Sequence, residues 1–151
     1  MVTFLRQFPD TKSGNLVAAF ELWGYKYWNR LEQLRRLVEY FDSIGVMDQV
    51  SLKHWAHTSQ FEQDFEGRVK GLGFAVYKWL LMRLGVETIK PDLHIKAFLR
   101  SVTSREFDDR EAVAILERVA NECGRKANEL DWTIWELQKS KQVSHYTSRY
   151  S

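Results

Sequence analysis

A chain of 151 residues with 44% hydrophobic content, six Trp and nine Phe is long and apolar enough to close a hydrophobic core. One cysteine, Cys123, excludes an internal disulfide and any cysteine-built zinc or iron–sulfur site within the chain, and it suits a reducing, cytoplasmic setting. No apolar run approaches the roughly 18 residues of a bilayer span, Arg6, Asp10 and Lys12 break any signal-peptide pattern, and a net charge of +2 with a pI near 8.7 permits a nucleic-acid partner only through where the charges lie.

Leu16 to Trp23 sets apolar residues at three- and four-residue spacing, the mark of an amphipathic helix. In the next segment Leu31, Leu34, Leu37, Val38 and Phe41 share one face, while Glu32, Arg35, Arg36 and Glu39 share the opposite, polar one. Between the two lie Trp23, which reads as core, and the aromatics Tyr25, Tyr27 and Trp28. Gly45 marks a helix end. His54 and His57 fall on a short helix, with no carboxylate or cysteine to complete a metal set. Ser59-Gln60-Phe61-Glu62 spells a capping box. Val69 to Leu84 is again helical in period, but Gly67-Arg68-Val69-Lys70-Gly71-Leu72-Gly73 predicts a tight turn between a helix ending near Arg68 and one beginning near Phe74. Tyr77, Trp79 and Met82 are expected to pack that second helix onto its neighbours, and Gly85 to end it. Pro91 suits the first turn of a helix that carries Leu93 to Val102. Asp108 to Glu111 is a looser capping box ahead of Ala112 to Val119, with Gly124 as the stop. Leu130 to Leu137 completes the series, with Trp132 and Trp135 as core residues and Asp131 as a cap or ion-pair partner. The prediction is all-α: one compact helical domain over residues 1–138 and a polar, frayed tail over 139–151.

Arg68, Lys70, Lys78 and Arg83 surround the glycine turn, and Lys90, Lys96, Arg100 and Arg105 follow it, so the central third is locally basic. A turn there presents the N–H groups and positive dipole end of the next helix, a seat for a phosphate beside Lys70. A plain helix-to-helix turn satisfies the same glycines. Asp92 has two readings as well. It is an ordinary cap, or it is a carboxylate that the helix start keeps ionised for chemistry.

Val69-Lys70-Gly71-Leu72-Gly73-Phe74-Ala75, the apolar helix after it, Gly85 and Lys90-Pro91-Asp92-Leu93-His94-Ile95 together resemble the helix-hairpin-helix DNA glycosylase superfamily, which includes endonuclease III. The resemblance covers about residues 60 to 102, with a weaker echo at Leu130-Asp131-Trp132-Thr133-Ile134-Trp135. It implies a helix-hairpin-helix motif whose Lys70, Gly71, Leu72 and Gly73 hold a phosphate of duplex DNA, and a catalytic Asp92. It also implies a monovalent cation on the hairpin carbonyls, with no redox or organic cofactor required. The family's hairpin proline is Lys70 here, the position of the lyase lysine is Ala75 with Lys78 three residues further on, and the arginine beyond the aspartate is Ala97. The four-cysteine loop is absent. The resemblance therefore implies a monofunctional enzyme that hydrolyses the N-glycosidic bond of a damaged or mispaired base, with Asp92 stabilising the sugar cation. Tyr25 and Trp28 are the aromatic candidates for the base pocket, and Lys26 and Asn29 could add polar contacts. His94, among Leu93, Ile95 and Phe98, reads as a packed or capping residue.

The rival reading is a non-enzymatic helix-hairpin-helix DNA-binding module with a degenerate pocket, favoured by the short chain, Ala75 and Ala97. A third is a helical scaffold that contacts protein only. No membrane association and no obligate protein partner is expected.

Overall fold

The computed structural model describes the backbone of residues 2–147 and the side chains of residues 2–140. Among the described residues all regular structure is α-helical, as the periodicity predicts: α1 (Val2–Leu5), α2 (Lys12–Trp23), α3 (Trp28–Ser43), α4 (Gln49–Thr58), α5 (Phe61–Asp64), α6 (Phe74–Arg83), α7 (Leu93–Thr103), α8 (Asp109–Glu122) and α9 (Ala127–Thr147). The chain divides into two compact units, residues 1–73 and 74–151.

In the first unit, α2 starts where the Thr11 hydroxyl accepts the Gly14 N–H at 3.1 Å. It ends at Gly24, whose φ of 73° only glycine adopts freely. α2 packs on α3 around Leu5, Ala18, Ala19 and Leu31, with Phe8, Trp23, Leu34 and Val38 half-buried about them. Further along, Phe41, Trp55, Phe61 and Phe65 form an aromatic core, and the first pair meets edge to face at 4.9 Å and 80°.

Arg35 departs from its expected polar face. It is only 7% exposed, and its guanidinium makes three charge-assisted bonds: Nε to Asn15 Oδ1 at 2.6 Å, Nη1 to the Leu5 carbonyl at 2.7 Å and Nη2 to the Phe8 carbonyl at 2.9 Å. Carbonyls at the end of a one-turn helix lack intrahelical donors, and the planar fork of arginine meets several of them at once. Asp10, 3.9 Å from Nε, supplies a counter-charge. Burial alone would push the Asp10 carboxyl up, but hydrogen bonds from Arg36 and Asn15 outweigh it and hold the group below the usual carboxylate range.

The capping box expected at Ser59 is not the one used. Ser59 closes α4, Gln60 is the N-cap of α5, and the Asp64 carboxylate accepts the Gln60 N–H at 2.7 Å. α4 has its own box, between Asp48 and Ser51.

The second unit packs α7, α8 and α9 around Ile89, Ile95, Leu99, Val113, Leu116 and Ile134. Asp108 and Glu111 form the expected capping box at the start of α8. α6 begins only at Phe74, so Val69 to Gly73 belong to turns rather than to the helix that their period suggested. Pro91 is not in a first helical turn: it precedes the N-cap Asp92 and is fully buried. The tail also differs. α9 continues to Thr147 through Lys139, Lys141 and Gln142, good helix formers added to an existing helix, where extension needs no new nucleus. Residues 148–151 lie outside the described set.

Replacing Arg35 with Ala strips the donor from three acceptors and is expected to cost about 2–4 kcal/mol in urea denaturation. Arg35→Lys should recover only part of that, because an ammonium cannot reproduce the fork.

Candidate functional site

The glycine-rich segment lies in the first unit. After α5 the chain turns twice, with the Arg68 N–H on the Phe65 carbonyl and the Leu72 N–H on the Val69 carbonyl, each at 3.1 Å. Gly67 and Gly71 take φ of 71° and 83°, whereas Gly73 does not enter the positive region. The helix before the turn is four residues long and stops at Asp64, not near Arg68. Val69 is buried, Leu72 half-buried and Lys70 exposed. Asn29, Gln33 and Arg36 of α3, with Arg68, Lys70 and Gly71, line a groove of about 540 Å³. Gly71 is favoured there by its positive φ; the nearby Gln33 Nε2, 2.6 Å from where a Cβ would stand, is the far end of a flexible side chain that can move aside.

Tyr25 and Trp28 also belong to the first unit. Tyr25 is exposed and meets Tyr27 edge to face at 4.9 Å. Trp28, the first residue of α3, is half-buried with the Lys12 ammonium 5.3 Å from its ring.

Asp92 lies in the second unit, at the end of the irregular segment that joins α6 to α7. Beyond the Val86 N–H on the Leu81 carbonyl and the Asp92 N–H on the Lys90 carbonyl, this segment takes bonds from side chains. The Thr88 N–H donates to Asn128 Oδ1 at 3.2 Å, the Asn128 N–H donates to Glu87 Oε2 at 3.3 Å, and the Lys90 N–H donates to Asp131 Oδ1 at 2.9 Å. Thr88 is buried; its hydroxyl donates to Glu117 Oε1 at 2.5 Å and receives the Lys78 ammonium at 2.9 Å. Lys78 is thus tied to Thr88 and Glu117.

So anchored, the segment delivers Asp92 to the start of α7. Its Oδ1 accepts the N–H groups of His94 at 2.9 Å and Ile95 at 3.2 Å, and its Oδ2 lies 3.5 Å from the Lys90 ammonium. Asp92 and Asp131 line one groove of about 470 Å³ together with Trp79, Arg83, Lys90 and Trp132. Asp131 is pushed above the ordinary carboxylate value, first by burial and then by the negative charge of Asp92, against the opposing pull of the Lys90 N–H and ammonium. The two carboxylates therefore differ in character. Asp92 accepts two backbone N–H groups beside an ammonium, whereas Asp131 accepts one and is disfavoured as an anion by its burial.

Two sequence expectations are corrected in this groove. Trp132, expected in the core, is 59% exposed, and Trp79, expected to pack, is 41% exposed. Asp131 was legible only as a cap or ion-pair partner; its actual acceptor role is to a backbone N–H 41 positions earlier in the chain. His94 fits its packed reading, edge-on to Trp135 at 6.4 Å.

Among the described residues no three His, Cys, Asp or Glu side chains gather as a metal site, and no helix is long and apolar enough to cross a membrane. A family model described as Domain of unknown function (DUF8548) matches residues 30–139. That span includes Lys70 to Gly73, Asp92 and Asp131, and leaves out Tyr25 and Trp28. No curated protein and no solved structure matches the chain.

Gly71→Ala forces a left-handed backbone on a residue with a Cβ and is expected to cost about 1–2 kcal/mol in urea denaturation, before the cost of displacing Gln33. A folded carboxyl with a raised pKa ionises later than in the unfolded chain, so its share of stability is present below the ordinary carboxylate value and is lost as pH climbs to the raised one. Asp131→Asn, which keeps the acceptor for Lys90, should therefore gain on the parent protein across that interval and hold the gain at neutral pH, as read by melting temperature at several pH values.

Proposed function

The chain belongs to the family described as Domain of unknown function (DUF8548), and for this member we propose a DNA-binding protein that hydrolyses the N-glycosidic bond of a damaged or mispaired base at the Asp92–Asp131 groove. One observation carries the reading: two carboxylates, one capping α7 and one accepting the Lys90 N–H, share a groove with aromatic walls. As the bond from sugar to base lengthens, positive charge grows on the sugar, and the Asp92 carboxylate opposes it and orients water. In its protonated form Asp131 gives a proton to the leaving base, which departs with the bond's electron pair. The water oxygen bonds to the sugar and its proton passes to Asp92, so that water has been added across the broken bond.

In this reading Lys70, Gly71, Leu72 and Gly73 act as a hairpin on a DNA phosphate. Support comes from the positive φ of Gly71 and from Arg68 and Lys70 along the adjoining groove. Tyr25 and Trp28 serve as aromatic contacts to the DNA, and a monovalent cation on the hairpin carbonyls belongs to the same scheme without entering the bond-breaking step.

The second reading, a DNA-binding module without catalysis, is favoured by how fully Asp92 is engaged. A carboxylate with two backbone donors and a lysine has a sufficient structural role as a cap.

A panel of duplexes carrying uracil, alkylated or oxidised bases separates the readings. Base release is expected from at least one of them, and Asp92→Asn, which retains a good cap residue, should slow it by about 10²-fold or more while changing DNA affinity little. Binding should weaken steeply with salt, and Lys70→Ala should lower the slope of log K against log salt by about one. Binding without release from any duplex leaves the module reading; affinity indifferent to salt rejects both.

A further inference from the structure

Trp132 is the least explained large side chain of the second unit. It is 59% exposed, yet it is not loose: its ring stacks on Trp135 with centroids 5.0 Å apart and planes 26° from parallel. Trp135 is itself held, with the His94 ring edge-on to it and the Lys139 ammonium 4.9 Å from its centroid. An exposed indole, stacked on one neighbour and lining a groove, offers a stacking surface to a planar partner.

The groove limits what that partner is. Arg83 lines it and is exposed, 5.6 Å from the Trp79 ring and with no carboxylate partner among the described residues. Lys90, half-buried, lines it as well. Carboxylates and indoles together also suit a sugar face, but only a phosphodiester answers the guanidinium with charge as well as hydrogen bonds. A volume of about 470 Å³ falls within the range of small-molecule sites.

We propose that Trp132 is the platform on which one nucleobase of an unpaired or extruded nucleotide stacks, with Arg83 meeting the phosphate attached to it. The identity of the ligand as DNA rests on the reading above; the stacking itself does not require that any bond be broken. Neither Tyr25 nor Trp28 is needed for it.

The test is a fluorescence titration of the full chain with a short oligothymidylate, with an abasic strand of the same length, and with a neutral oligosaccharide. Oligothymidylate should quench the emission and bind roughly five- to a hundredfold more tightly than the abasic strand. Trp132→Ala should erase that difference and Trp132→Phe should keep most of it, with far-UV melting showing both variants folded. Arg83→Gln should weaken both strands and reduce their salt dependence. A Trp132→Ala protein that still prefers the base-bearing strand overturns the proposal, as does quenching by the oligosaccharide alone or failure to bind either strand. Quenching without base release from lesion duplexes keeps the platform and ends the excision reading. Normal base release by Trp132→Ala, with the strand preference intact, does the reverse.

Discussion

Two backbone N–H groups in an irregular segment, those of Thr88 and Lys90, find their acceptors on the side chains of Asn128 and Asp131. Buried peptide groups must be paired, and a stretch with no helix or strand of its own has to borrow partners. In the second unit those partners sit on the first turns of α9, and the Asn128 N–H, one of the donors a helix start leaves free, returns a bond to Glu87. The Thr88 hydroxyl, inserted between Lys78 and Glu117, ties the same segment to α6 and α8. Without this lacing neither Asp92 nor the groove beside it would have a defined place.

The same bonds set the electrostatics. Asp131 spends one oxygen on the Lys90 N–H while sitting in a desolvated position next to another carboxylate, so its charge is disfavoured. Asp92 stands at a helix start with two N–H donors and an ammonium nearby. Identical functional groups are thereby given different partners by their surroundings. The first unit relies on a related device. Arg35 gathers the carbonyls of Leu5 and Phe8 and the amide of Asn15 into one buried centre, which fastens the short α1 and the turn behind it to α3.

Local signals were legible, and long-range ones were not. Apolar spacing and capping residues placed α2, α3, α7 and α8 to within a few positions, because both depend on neighbours in the chain. The capping role of Asp92 was readable for the same reason. α1 is a single turn, too short to display a period. Arg35 lies at a position that helix geometry marks as polar, and its burial depends on carbonyls about thirty residues earlier. Asp131 and Trp132 failed in the same way: one was chosen by a backbone group in a distant segment, and the other was judged core from hydrophobicity alone although α9 turns it outward. At Ser59 a correct motif spelling lost to Gln60 and Asp64 one position on, where α4 had already claimed the serine as its end.

The path of the segment between α6 and α7 is thus encoded some forty positions downstream of it. Grafted alone into another helical scaffold, the stretch from Glu87 to Asp92 would arrive without the instructions for its own shape. The transplantable module is the stretch together with Asn128 and Asp131, and divergence among family members should treat these separated positions as one inherited piece.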